Sequence, residues 1–465
     1  MLKRSLVLFI VLTGGALRAE DPARIDLPKA IGMALENNRD LARQALGLRS
    51  AAYGIDSARA EFSLRLVPTG TARTDQDGST VNYGLTAVQK FLPGTALEVG
   101  GRMEERDDEA SDRSQRSVMQ VGLTQPLFRD FGALVQGEAI TKAGQQLRRA
   151  RRDLDLQRSD LVVNVVETFE ALIRLERQIR SAEASFQRMD KLYRLTQARE
   201  RQGRASRVDT LRVELKRGQA LSRLESDRER FSFTQRDFAE LLGQSPETTF
   251  ALEPPPLLEI ELPAPESAIA TALSNRLDYA QAWQDYDDTI RGVKIAEKAL
   301  LPAVSLVTRY ERVNDDSTVD EEEDRWSVGL AGDTDLARTR ERAQLGQATI
   351  SRESAQETVR IHELGIAREV RQLMTAYQQA RAELLIAERN YTLAENRARL
   401  ARRLFEIGRG DNFSVTDAEE ALHDADLRRL SARADASVTG YKLLRGLGTL
   451  VEAPEELKPT GQGKI

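Results

Sequence analysis

Two apolar stripes, offset by 205 residues and held in one register, restrict this chain to few folds. Stepping from Leu161 by alternating four and three residues meets Leu161, Val165, Thr168, Leu172, Leu175, Ile179, Ala182, Phe186, Met189 and Tyr193. All but Thr168 are apolar. The same steps from Ile366 meet Val370, Leu373, Tyr377, Ala380, Leu384, Ala387, Tyr391, Ala394 and Ala398, and the pattern runs on through Ala401 to Phe405. A 4-3 spacing kept for four heptads marks helices packed along their length. The shared register marks an internal duplication.

Each stripe stops just before a glycine, Gly203 in "RQGRASRVD" and Gly408 in "EIGRGDNFSVTDAEEA". Glycine ends helices because the left-handed conformation costs it little. Each stripe therefore reads as a long helix turned back into a return helix. The first rod, about 133–202, would be roughly 100 Å long at 1.5 Å per residue. The openings of the repeats agree as well: "ALENNRDLA" (34–42) aligns with "ALSNRLDYA" (272–280), and Ile55 and Ala58 with Val293 and Ala296. The expected organisation is repeat 1 over 20–250 and repeat 2 over 251–450. Each repeat runs helix, extended region, long helix, glycine turn, return helix. The Pro-rich stretch 244–266 joins them, and 451–465 has the composition of a disordered tail.

The extended regions alternate as strands do: "SLRLVPTGTA" (63–72), "VNYGLTAVQKF" (81–91), "TALEVGGRM" (95–103) and "SVMQVGLTQPLF" (117–128), then "AVSLVTRY" (303–310) and "RWSVGLAG" (325–332). Polar tips such as "TDQDGST" and "NDDSTVDEEED" separate them. Alternation without a continuous hydrophobic run is the weak signature of transmembrane barrel strands, and composition alone slightly favours a soluble half-buried sheet. The N-terminus favours the barrel. "MLKRSLVLFIVLTGGALRAED" has a basic start, a short apolar run and a plausible cut after Ala19, so 1–19 reads as a secretory signal. No later run of 18 apolar residues exists, so spanning a membrane would need strands.

Composition excludes several other functions. Acidic (73) and basic (68) residues are interspersed with no basic stripe, which leaves a nucleic-acid partner without electrostatic support. The chain has no cysteine, so thiol chemistry and thiolate metal sites are absent. Its two histidines, His362 and His423, read as exposed helix residues among charges rather than bases or ligands. The acidic run 320–324 lacks the regular spacing of a calcium loop. No phosphate loop is present, because "PGTALEVGG" leads into no helix. The expectation is a protein that is not an enzyme and takes no cofactor or metal.

With its duplicated "AL.N" openings, "LTQPLFRDFG" (123–132) entering the long helix and two glycine turns, the chain resembles the TolC-like outer-membrane efflux protein family over about 27–450. The resemblance implies a mostly α fold with a membrane β-barrel portion. Duplicated coiled-coil hairpins would form an α-barrel in the periplasm, and strands would be given to one barrel shared by a homotrimer in outer-membrane lipid. It implies passive conduction in a tripartite efflux or type I export system, with a periplasmic adaptor protein and an inner-membrane transporter as partners. The implied adaptor-docking tip is Gly203, Arg204, Asp209, Gly408 and Arg409. The implied periplasmic gate is Phe405, Asp411 and Asp417. Phe405 stands where the family has a hydrogen-bonding tyrosine, Gly410 where it has a linking arginine, and Ser414 where it has a gate aspartate. Packing around Phe405 and one acidic ring at Asp417 would remain. The family minimum is two strands per repeat, whereas repeat 1 shows an extra pair around "LPGT" (92–95). The alternative is a soluble secreted helical scaffold or adaptor with a small β domain.

Overall fold

The computed structural model describes residues 23–75, 78–108, 111–315 and 323–459. The expected signal segment 1–19 lies outside them. In chain order the elements are β1 (Ala23–Ile25), α1 (Leu27–Asn37), α2 (Arg39–Ala60), β2 (Arg65–Asp75), β3 (Gly78–Lys90), β4 (Ala96–Asp108), β5 (Ser111–Pro126), α3 (Ala133–Gln136), α4 (Glu138–Arg201) and α5 (Arg207–Leu241). There follow β6 (Phe250–Leu252), α6 (Pro265–Asn275), α7 (Leu277–Ala299), β7 (Val304–Asp315), β8 (Glu323–Gly332), α8 (Thr339–Glu406) and α9 (Asn412–Gly446). The order helix, helix, strands, long helix, return helix occurs twice. Four strands lie between α2 and α3 and two between α7 and α8. Among the described residues no helix is long and apolar enough to cross a membrane.

Local chemistry accounts for the helix starts. Asp26 accepts the Lys29 amide at 3.0 Å and caps α1, and a proline stands in the first turn of α1 and again of α6. The long helices bury their 4-3 stripes. Val165, Leu172, Ala182 and Met189 on α4 and Ile366, Val370, Tyr377 and Leu384 on α8 are all buried. The buried face of α4 is wider than the stripe, because Val162, Val166, Phe169 and Ile173 are buried beside it.

The chain divides into two compact units. One holds the described residues up to Asn38 with Asn164–Glu259 and Ala380–Val438; the other holds Arg39–Val163, Ile260–Gln379 and the residues from Thr439 on. Each unit takes segments from both repeats, so the compact units do not follow the division at 250. In the first unit Phe169, Phe238 and Phe250 stack edge to face with centroids 5.9 and 5.8 Å apart, next to the parallel pair β1–β6. In the second, Val359, Ile366, Val370, Tyr377 and Leu443 pack on Ala268 and Ala272. The Tyr377 hydroxyl accepts the Ile260 amide at 2.9 Å.

The "AL.N" openings have a packing role. Gly243 ends α5 and Gly448 follows α9, both with positive φ. A Cβ on Gly243 would lie 2.2 Å from the Asn37 carbonyl oxygen, and one on Gly448 would lie 3.0 Å from Asn275. Asn37 and Asn275 each donate a side-chain hydrogen bond one turn back, to Met33 and Thr271. The next residues reach the return helices: Asn38 donates to the Leu241 carbonyl at 3.0 Å and Arg276 to the Gly446 carbonyl at 3.5 Å. Each short opening helix is thus clasped to the end of its return helix.

Residues 451–459 correct the expectation of disorder. Leu457, in the turn Glu455–Leu457, and Ala453 bury against Leu277. Arg152 donates to the Leu457 carbonyl at 3.0 Å. Residues 460–465 lie outside the described residues.

The six strands of the second unit form one antiparallel sheet, in the order β2-β3-β4-β5-β7-β8. The strands run further into the polar tips than their apolar cores suggest. A backbone ladder needs no apolar side chain once its register is set. Lines of direct partners cross the sheet. One is Leu66, Ala87, Val99, Val121, Tyr310 and Trp326; its neighbour is Arg65, Val88, Glu98, Gly122, Arg309 and Ser327. Because side chains alternate, these lines define two faces. One carries Leu66, Val81, Leu85, Met119, Val328 and Leu330, all exposed, with Trp326 at 79%. The other carries Thr69, Thr71, Asn82, Arg102, Gln120 and Ser327. A sheet with one exposed apolar face has the pattern of outer-membrane barrel strands.

Candidate functional site

Both long helices end in the same turn, in the first unit. After α4 the Gly203 amide donates to Glu200 at 2.9 Å and the Arg204 amide to Arg199 at 2.8 Å. After α8 the Gly408 amide donates to Phe405 at 3.0 Å and the Arg409 amide to Leu404 at 2.9 Å. Each glycine has positive φ, +69° and +79°. This is the Schellman closure, which satisfies the last carbonyls and reverses the chain. Gly203, Arg204, Gly408 and Arg409 are exposed at the two turns. Around them stand exposed Val208, Leu211 and Leu215 on α5 and exposed Ile407 and Phe413 by the second turn.

The acidic residues at the turns are engaged locally. Asp209 forms a capping box with Ser206: the Ser206 hydroxyl accepts the Asp209 amide at 3.2 Å and donates to the Asp209 carboxylate at 2.7 Å. Asp411 accepts the Ser414 amide at 2.7 Å at the start of α9. The hydrogen bonds from Ser414 hold the Asp411 carboxyl below its ordinary value. Asp417 is ion-paired with Arg397 across the α8–α9 hairpin. Phe405 is buried among Met189, Leu192, Val213 and Val415, and the Arg199 guanidinium lies 4.1 Å from its ring centroid. Phe405, Asp411 and Asp417 thus have separate partners within one chain. Gly410 has a steric reason: a Cβ there would sit 3.0 Å from the Phe405 nitrogen.

Beneath the turns lies a polar core that sequence reasoning missed. Glu419 on α9, 2% exposed, meets Arg188 of α4 at 2.6 Å and Arg402 of α8 at 3.3 Å. Three helices are thereby tied by one carboxylate. Thr196 of α4 donates to Asn412 of α9 at 3.3 Å, both buried. His423, expected on the surface, is buried beside a cavity of about 30 Å³ whose walls include Ser185, Lys216 and Gln219. Burial first, then Arg223, holds its imidazole below the ordinary value. Asn412, Thr416, Glu419 and His423 stand at 4-3-4 spacing, so they share one helix face. That spacing was the available signal, hidden because these side chains are polar. His362 is exposed, as expected. Asp324, from the acidic run, is held by Arg312 at 2.8 and 3.1 Å; residues 320–322 lie outside the described residues.

Helical hairpins closed by matched glycine turns, together with a sheet bearing one exposed apolar face, define the class of outer-membrane channels built from both helices and strands. The outer membrane efflux protein family model matches residues 30–244 and 268–449, and the chain belongs to that family. Solved channels share the fold at low identity. The outer membrane protein VceC of Vibrio cholerae is 18% identical with TM-score 0.70, covering 91% of this chain and 96% of that one. The CmeC outer membrane channel of Campylobacter jejuni is 12% identical with TM-score 0.72, covering 92% and 86%. The open-state MtrE outer membrane channel of Neisseria gonorrhoeae is 14% identical with TM-score 0.67, covering 91% and 89%. No curated protein sequence matches the chain. The chain is the outer-membrane channel component of an efflux system, and the soluble-scaffold alternative is not favoured.

Proposed function

We propose that the channel is a homotrimer whose helices form a periplasmic tunnel and whose glycine turns are the mouth that meets an adaptor. One observation carries this reading. Beside its buried stripe, α8 carries a second apolar line, Ile386, Leu393 and Leu400, continued by Ile407 just past its end, all exposed and seven residues apart. Heptad spacing on an uncovered face is what a neighbouring helix covers, and a closed ring of identical copies is the commonest way to supply one. The apolar sheet face supports placement in outer-membrane lipid.

Conduction is passive in this reading. An inner-membrane transporter supplies the energy and a periplasmic adaptor bridges to the tips, where Gly203, Arg204, Asp209, Gly408 and Arg409 cluster with exposed Val208, Leu211 and Phe413. Asp209 acts there through its cap, by fixing the start of α5. The gate rests on packing around Phe405. At Asp417 an acidic ring is weakened by Arg397, and Asp411 serves mainly as a cap. Neither catalysis nor a resident cofactor enters this reading.

Proline tests the mouth. Pro fixes φ near −65° and has no amide hydrogen, while both glycines need positive φ and donate an amide bond. Gly203→Pro or Gly408→Pro is expected to lower export at least ten-fold while detergent-extracted trimer persists. Undiminished export by such a trimer would remove the docking role from the turns.

A further inference from the structure

The sheet points to a wider barrel than two strands per repeat would build. We propose that three copies close an eighteen-stranded barrel in which β8 of one protomer pairs along its whole length with β2 of the next, Ser327 opposite Thr71. The inference rests on the trimeric reading above and goes beyond it, because it fixes which edges meet and how wide the exit is.

The two outer strands have free edges. Within the described residues β2 pairs only with β3 and β8 only with β7. All ten residues of β8 are exposed, and β2 is exposed along nearly all of its length. In lipid no strand edge is left unpaired, since an orphan backbone group there has no water to hydrogen-bond. The β2–β3 hairpin cannot stand aside in water either. Leu66, Val81, Tyr83 and Leu85 lie on the same apolar face as the other strands and are exposed with them. An even number of alternating strands leaves β8 and the next β2 running antiparallel, as closure demands.

The strands also lean by the amount that closure needs. The partner line from Arg65, the first residue of β2, reaches β8 at Ser327, five residues before that strand ends at Gly332. A drift of five residues at roughly 3.3 Å across five spacings of roughly 4.8 Å is a tilt of about 35°, within the range that closed barrels need. The apolar band drifts in the same sense. Its upper edge is Trp326 on β8, whose partner line meets β2 at Leu66, whereas on β2 the band runs up to Ala72.

The seam itself is complementary. Setting Ser327 against Thr71 gives every residue of β8, 323–332, a partner in 66–75, with no overhang. It keeps apolar with apolar: Trp326 faces Ala72, Val328 faces Gly70 and Leu330 faces Pro68. A large residue meets a small one at each step, the complementarity that cross-strand pairs favour. Pro68 has no amide hydrogen, so the seam has one donor fewer. The offset is six residues per protomer, so the shear of the ring equals its strand number, the same ratio as in eight-stranded barrels with a tilt of about 36°. Barrel diameter grows roughly linearly with strand number. The exit would be about half as wide again as a twelve-stranded one and lined by the polar face, with Thr69, Thr71, Arg102, Gln120 and Ser327.

The natural absence of cysteine makes the test clean. In the full-length channel, Thr71→Cys with Ser327→Cys is oxidised in native outer membranes and resolved under denaturing conditions. The expected result is a covalent trimer from more than half of the chains, while Arg102→Cys with Ser327→Cys gives none. A native trimer that cross-links through Arg102→Cys and not through Thr71→Cys pairs β8 with β4; it overturns the proposal and leaves the trimer standing. A protein that extracts only as a monomer overturns both. Both positions carry exposed polar side chains, so the variants test pairing rather than folding. A strand count by electron microscopy on the unmodified trimer decides the same point without substitutions: eighteen supports the proposal, twelve overturns it.

Discussion

Among the described residues six glycines take positive φ, and four of them end helices as two pairs offset by 205: Gly203 with Gly408, and Gly243 with Gly448. The second pair has the stricter surroundings. Ala at Gly243 would need both a left-handed backbone and room where the Asn37 carbonyl stands 2.2 Å away. Gly243→Ala and Gly448→Ala are each expected to cost on the order of 2 kcal/mol, read as a lowered denaturation midpoint. Gly218, inside α5 with nothing within 4 Å of an added Cβ, is the contrast. Gly218→Ala is expected to leave stability unchanged or raise it by about 1 kcal/mol. At this scale the sequence was partly legible. The glycine turns announced themselves by ending a periodic stripe. Asp209 and Asp411 did not reveal that their carboxylates cap helices, since an aspartate at a helix start is written the same way whether it faces its own backbone or a lumen.

At the scale of elements, the hairpin bundle below the turns owes its unity to the Glu419 carboxylate. Removing one partner of a buried ion cluster leaves uncompensated charge. Glu419→Gln keeps the shape and strands Arg188 and Arg402; it is expected to cost about 2–3 kcal/mol, measured as a lower melting temperature of the helical signal. His423 adds a pH dependence of definite sign. Its folded pKa lies below the ordinary 6.5 because of burial and Arg223, with Asp424 and Asp227 opposing. At pH 8 it is neutral in both states and contributes no difference. As pH falls through about 6.5 the unfolded chain binds the proton first, so stability drops with acidification. His423→Gln is expected to flatten the loss of stability between about pH 7 and 5, followed by thermal melts across that window. The apolar stripes of α4 and α8 were readable because burial of leucine and valine leaves a period. The buried face of α9 was not, because Asn412, Thr416, Glu419 and His423 pass for a solvated surface until a partner helix is known. Strand ends were obscure for a related reason: the ladder continues after apolar alternation stops.

At the scale of the whole chain, duplication was visible in the matched stripes, and it recurs in element order, in the glycine closures and in the clasps of Asn37 and Asn275. What the repeats concealed is that neither is a compact body, since each compact unit draws on both. A repeat of this kind has no core of its own to be recognised by. The order of the tail was hidden because composition alone could not show Leu457 finding a site against Leu277. The sheet of a lone protomer presents two long bare margins, so a solitary copy has no comfortable resting place in the bilayer. In the proposed trimer, insertion and association should therefore be coupled, because each margin is covered only by a neighbouring copy. A co-expressed copy with a defective margin should poison the ring rather than merely fail to join it.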